Sequence, residues 1–213
     1  YPCRRYYHAG IFQGGGSLMP KLGMPEVRRP QLIRATMDVI NQVGFLNATV
    51  AKIGQQAGIS PSIINHYFGG KSGLVEATMR SILKDLSTGI NLRLSKVPKD
   101  DTLARIEAIV GENFSSHQQD EAVVKTWLAF WAQAMHDPTL NRIQRVNEKR
   151  LLSYLRLELK RSMPHAQAQM VAISIAALID GIWLRGALNP QGMNSNLARQ
   201  VVQDYLLLYI KHS

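Results

Sequence analysis

Between Ala57 and Ala77 the chain reads AGISPSIINHYFGGKSGLVEA: a glycine turn, a short segment carrying Ser62, Ile63, Asn65, His66 and Tyr67, and then Lys71. These are groups that read bases and hold phosphates. Asn pairs with adenine through two hydrogen bonds, Ser meets donors or acceptors, and an apolar side chain such as Ile63 meets a thymine methyl. With Ile64 and Phe68 turned inward, the opposite helix face presents the other residues, and we expect base reading from Ser62, Ile63, Asn65 and His66. Phosphates fall to Thr49, Tyr67, Lys71 and the N-terminal N–H groups of the short helices, whose partial positive charge favours anions, and Ser60 is a further DNA-binding candidate. An arm with Lys21, Arg28 and Arg29 is placed to reach neighbouring phosphates or the minor groove.

Such a reading face needs a scaffold, because a helix this short is marginal in water on its own. Apolar residues at Ile33, Met37, Ile40 and Val43 recur at helical spacing before Gly44, which predicts a first helix over 29–43 with Pro30 confined to its first turn. Thr49 caps a second helix over 50–57, ended by Gly58; Ser60 and Pro61 start a third, closed by Gly69 and Gly70. Two short helices across a glycine-containing turn form a helix-turn-helix, whose second helix lies in the DNA major groove. Gly54 supplies the small residue at the crossing, and Val50, Ile53, Ala57, Ile59, Ile64 and Phe68 lock the inner faces.

Ser72 begins a long fourth helix, and from Thr102 the pattern stays helical over 102–114, 121–136, 138–162, 166–188 and 194–210. No stretch shows sustained period-two alternation. The expected fold is all-α, about nine helices, with an N-terminal helix-turn-helix domain over 19–86 and a C-terminal helical ligand-binding and dimerisation domain over 87–213.

The 213 residues carry a formal charge of +10, which points to an acidic partner. No Asp or Glu occurs from Val39 to Val75, as a surface facing phosphates requires. The only cysteine, Cys3, excludes an internal disulfide and a thiolate metal site and fits a cytoplasmic setting. Residues 1–18 begin without Met and lack a long apolar stretch; they are expected to be an artefactual or mis-started extension outside the fold. The longest apolar run, Ala172 to Leu184, is interrupted by Ser174 and Asp180, so no membrane span is expected.

The stretch TVAKIGQQAGISPSIINHYFGGKSGL, Thr49 to Leu74, resembles the DNA-binding signature of TetR-type bacterial transcriptional repressors. MPKLGM at Met19–Met24, KTWLAFWAQAMHDP at Lys125–Pro138 and AALIDGIWLRGAL at Ala176–Leu188 resemble a branch of that family which controls choline uptake and choline oxidation to glycine betaine. The resemblance implies a dimeric repressor that binds double-stranded operator DNA and is relieved by choline.

A quaternary ammonium ion cannot donate a hydrogen bond, so aromatic faces and a nearby carboxylate hold it. The resemblance thus makes Phe114, Trp127, Phe130, Trp131, Tyr154 and Trp183 candidates for an aromatic cage, with Asp180 and Glu112 as carboxylates. Asp180 breaks an apolar run, and an unpaired buried carboxylate is costly, so it belongs at a cavity or a dimer seam. The helices near 166–188 and 194–210 carry broad apolar surfaces, including Val171, Ile175, Leu178, Ile179, Val202, Leu206 and Tyr209, expected at a homodimer interface. The segment Arg142–Arg161 has seven basic residues and only Glu148 and Glu158 as acids, and is read as a solvated face.

No glycine loop for phosphate, no metal-ligand spacing and no Ser/His/Asp arrangement supports an enzyme or a cofactor; His117, His136 and His165 are scattered near helix ends. The rival readings are a repressor of another operon, such as an efflux pump with a bulkier cation, and a helical interaction protein without sequence preference.

Overall fold

The structure is a computed structural model that describes the backbone of residues 24–210, with side chains from Arg28 onward. The expectations for Cys3, residues 1–18 and Lys21 lie outside the described residues. Among those described, nine helices and no strand are present. They are α1 (Met24–Asn47), α2 (Val50–Ala57), α3 (Pro61–Phe68), α4 (Lys71–Leu94), α5 (Thr102–Asn113), α6 (Glu121–Ala134), α7 (Pro138–Leu159), α8 (His165–Ala187) and α9 (Ser195–Ile210).

Local chemistry accounts for most boundaries. The Thr49, Asp101, Asp120 and Asp137 side chains accept from backbone N–H groups in the first turns of α2, α5, α6 and α7, satisfying donors that the helix leaves open. Gly58 ends α2 at φ 64°, the left-handed region where a Cβ would be strained. α1 departs from expectation at its start: it begins at Met24, so Pro30 lies more than a turn inside and leaves one i−4 carbonyl without its backbone donor. The expected stop holds, because Gly44 leaves helical space and the chain makes one more turn before Ala48.

Two apolar clusters organise these helices. The smaller joins Leu32, Ala35, Val39, Ile40, Ala48, Ile53, Ile59, Ile64 and Leu74, and holds α2 and α3 against α1. The larger fills the space between α4 and the helices from α5 to α9, and it also takes Ile33 and Met37 from α1. α4 serves both, with Leu74 in the smaller cluster and Met79, Ile82, Leu86 and Ile90 in the larger. Its far end is tied down: Arg105 donates from Nη1 to the carbonyls of Leu94 and Val97, while its guanidinium bonds the buried Glu158 carboxylate of α7.

Of the residues expected at the dimer seam, Val171, Ile175, Ile179, Val202 and Leu206 are buried in the chain's own core, and Leu178 and Tyr209 pack against it. The exposed apolar residues of α8 and α9 are instead Met170, Ile173, Leu184, Leu197, Val201 and Leu208. They sit at other angles on the same helices, because both helices carry apolar residues on more than one face. α8 is also long and apolar enough, by length and composition, to cross a bilayer, which corrects the expectation that no segment would be. Ser174 and Asp180 are too few to offset the rest of the helix, and a helix apolar on several faces passes that test whether lipid or protein covers it.

Candidate nucleic-acid interface and ligand pocket

α2 and α3 cross closely at Gly54. A Cβ there would lie 2.5 Å from the Ile59 carbonyl oxygen and 3.3 Å from Ile64 Cδ1, so no larger residue fits without moving the backbone. Ile64 is fully buried beneath α3, and Ser62, Asn65, His66 and Tyr67 stand exposed on its outer side, with the His66 and Tyr67 rings edge-on at 5.0 Å. Ile63 differs from expectation: it is half-buried against the smaller cluster, because it lies on the flank of the helix next to Ile64.

The phosphate candidates divide. Thr49 is exposed, but its hydroxyl oxygen accepts from Lys52 N at 3.2 Å, leaving its O–H proton to donate outward. Ser60 starts α3 without a side-chain cap, and its Oγ shares a 3.1 Å hydrogen bond with Ser62 Oγ. Arg28 is exposed on α1. Arg29 is drawn to the recognition helix, its guanidinium 5.6 Å from the Phe68 ring centre. Lys71 is committed elsewhere. Its ammonium donates to the Phe45 carbonyl and lies 4.1 Å from the Phe45 ring centre, where burial lowers its pKa. It ties the start of α4 to the turn after Gly44.

The second site lies among α4, α6, α7 and α8. Trp127 and Trp131 of α6 meet Trp183 of α8, with ring centres 5.2–6.2 Å apart and mostly edge-on. These three indoles, Tyr154, Asp180 and residues of α4 line a cavity of about 50 Å³. Tyr154 is fixed by hydrogen bonds of 3.1 Å with Ser87 Oγ and Asn91 Oδ1. Asp180 stands at the open edge of the cavity; the surrounding protein strips water from its carboxylate, and Glu148 adds like charge, so its pKa is pushed up to about 6.

The structure thus brings Trp127, Trp131, Tyr154, Asp180 and Trp183 together and leaves three candidates out. Phe114 and Phe130 are core residues, the latter edge-on to Trp127 at 5.8 Å. Glu112 faces the opposite side of α5, paired with Arg93 at 2.5 Å over an open depression bounded by α4, α5 and α9. Its neighbour Asn113 lines the tryptophan cavity instead. The sequence reading missed Gln118 and Gln144, which also line it. Among the described residues, no three His, Cys, Asp or Glu side chains gather as a metal site.

α6 joins the two sites. It turns Trp127 and Trp131 toward the cavity, while Ala129 packs against the smaller cluster and Lys125 Nζ donates to the Asn41 carbonyl of α1 at 3.4 Å.

Residues 32–78 match the family described as bacterial regulatory proteins, tetR family, and residues 102–210 match the C-terminal family of BetI-type transcriptional repressors. An HTH-type transcriptional regulator BetI of Vibrio vulnificus is 59% identical over 188 residues, covering 88% of this chain and 95% of the relative. Among solved structures, a putative transcriptional regulator of Pseudomonas aeruginosa aligns with a TM-score of 0.76 at 27% identity, over 85% of this chain and 89% of that one. A putative regulator of Saccharomonospora viridis in complex with choline aligns at 0.73 and 17% identity, over 85% of this chain and 96% of the other, a likeness of fold alone.

Proposed function

The chain belongs to the tetR family of bacterial transcriptional regulators, with a BetI-type C-terminal domain, and from that premise we propose that it is a choline-responsive repressor of choline-uptake and glycine-betaine-synthesis genes. Regulators of this family are not enzymes; the chemistry is binding at two sites. In this reading residues 19–86 form the DNA-binding unit and 87–213 the ligand-binding and dimerisation unit, working in the cytoplasm. Ser62, Asn65 and His66 read operator bases, with Ile63 contributing its exposed edge. Arg28, Arg29, Thr49, Ser60 and Tyr67 hold the backbone; Lys71 braces the unit from behind.

The observation that carries the ligand assignment is the small cavity between Trp127, Trp131 and Trp183 with Asp180 at its edge. Indole faces attract a cation that offers no hydrogen-bond donor, and a carboxylate supplies the opposite charge. A cavity of about 50 Å³ is far below the ~300–1,000 Å³ that holds drug-sized molecules, which favours a compact ion over the bulky cations of an efflux regulator.

Operator release needs the ligand to bind better to the conformation that does not fit DNA. Occupying the cavity parts Trp127 and Trp131 from Trp183, and α6 passes that displacement to α1 and the helix-turn-helix. Two chains, joined through the exposed apolar residues of α8 and α9, place two α3 helices on one palindromic site.

The test is fluorescence anisotropy of labelled DNA from upstream of the gene, at fixed salt, with scrambled competitor, with and without choline. Specific binding weakened by choline is the expected result. Specific binding indifferent to choline removes ligand-driven release, and binding no tighter than to scrambled DNA removes the operator.

A further inference from the structure

Gln118 lies in the turn between α5 and α6, 2% exposed, and lines the tryptophan cavity. The Trp127 indole N–H donates to its Oε1 at 3.4 Å. An indole nitrogen is only ever a donor, so this contact fixes which end of the amide is which. The Gln118 Nε2 group therefore points elsewhere as a donor, and it has no hydrogen-bond partner among the described residues. Across the same cavity, Gln144 of α7 presents a buried Oε1 that is also unpartnered. Buried polar groups are rarely left unmatched in folded proteins, and two from different elements around one cavity describe what belongs there.

We propose that Gln118 is the specificity-determining residue of this pocket, reading a hydroxyl on the ligand and so selecting quaternary ammonium alcohols over their hydrocarbon and carboxylate analogues. This rests on the quaternary ammonium reading above. The indoles and Asp180 take the cationic end, which has neither donor nor acceptor to offer an amide. A hydroxyl at the other end accepts from Gln118 Nε2 and donates to Gln144 Oε1, satisfying both with one atom. A methyl group in its place answers neither. A carboxylate accepts from Gln118 but has no proton for Gln144, and it sets a second negative charge in a lining where, among the described residues, Asp180 is offset by Arg150 alone.

The experiment titrates the full chain, by tryptophan fluorescence and calorimetry, with choline, propyltrimethylammonium (its hydroxyl replaced by methyl), glycine betaine and tetramethylammonium. The wild type is expected to prefer choline over propyltrimethylammonium by at least about tenfold, since a site built around a hydroxyl rejects the analogue that lacks it. Gln118→Leu is expected to weaken choline by about tenfold while leaving propyltrimethylammonium within roughly twofold, so that the preference collapses. Equal wild-type affinities for the two ions overturn the proposal without any variant, which keeps it testable if Gln118→Leu misfolds. A choline preference that survives in a folded Gln118→Leu overturns it as well. If the ions bind without regard to the hydroxyl, only the role of Gln118 falls; if none of them binds, the quaternary ammonium reading falls and takes this proposal with it.

Discussion

On the proposed choline reading, the charge on Asp180 should make choline affinity a function of pH in a range where the protein stays folded. Burial and Glu148 raise the carboxyl to about 6, so in the free protein it is about 90% ionised at pH 7 and about 10% at pH 5. A cation that binds only the ionised form then loses about tenfold in affinity, ~1.4 kcal/mol, between those two values. The ligand pulls the pKa back down, so binding near pH 6 releases a proton. Calorimetry in two buffers of different ionisation heat detects that release. Stability of the free protein runs the other way: a carboxyl raised by folding holds its proton more tightly than in the unfolded chain. Its contribution is greatest below the ordinary value of 3.8 and is lost as pH rises through about 6. Choline should therefore raise the melting temperature more at pH 7 than at pH 5. Asp180→Asn should flatten the affinity profile and hold it near the wild-type value at low pH. A flat wild-type profile from pH 5 to 7, or the same slope in Asp180→Asn, refutes the role of this carboxylate.

Further outcomes follow from other contacts. Gly54→Ala forces a Cβ to within 2.5 Å of the Ile59 carbonyl and should cost about 1–3 kcal/mol together with operator binding; an unchanged melting curve and affinity would contradict the packing described. Asn65→Ala removes an exposed side chain from α3, so it should leave the melting temperature alone and weaken specific DNA binding by about 1–3 kcal/mol; loss of non-specific binding alone would count against base reading. Ile173→Glu puts a charge among the exposed apolar residues of α8, and sedimentation should show monomers with weakened operator binding; a stable dimer would move the interface elsewhere. Arg105→Leu leaves the buried Glu158 with only Arg161 and should destabilise the chain by about 3 kcal/mol, read from urea melts.

The helix-turn-helix was legible because its constraints are local: Thr49, Gly54, Gly58 and Pro61 each solve a backbone problem within a few residues. α1 was harder, since proline normally marks a first turn and here does not. The tryptophan pocket was legible only in part. Spacing put Trp127 and Trp131 on one face of a helix, but Trp183 and Tyr154 join them through tertiary packing, and Phe130 carries the same signal while serving the core. Glu112 and Asn113 show the limit of reading position without angle: one residue is about 100° of helix turn, enough to send Glu112 to Arg93 and Asn113 to the cavity. Gln118 carried no signal at all, because a glutamine in a turn looks like any solvated residue until its surroundings are known. The contact of Lys71 was hidden for the same reason: a loop lysine and a lysine stacked on Phe45 have the same sequence context.

The clasp of Arg105 on the end of α4 gives that helix a fulcrum. With Leu94 held to α5 and α7, the helix extends ~30 Å back to Leu74, where it meets α3 and the smaller cluster. Leu83, Leu86, Ser87 and Ile90, which line the tryptophan cavity, sit along its middle and nearer the clasp. A tilt of about 5° about the held end moves the Leu74 end by ~2.6 Å, several times the displacement at Ile90. The mechanical advantage is set by where along the rod the push is applied, so on the proposed reading a ligand too small to reshape the protein would still carry α3 out of register with a groove.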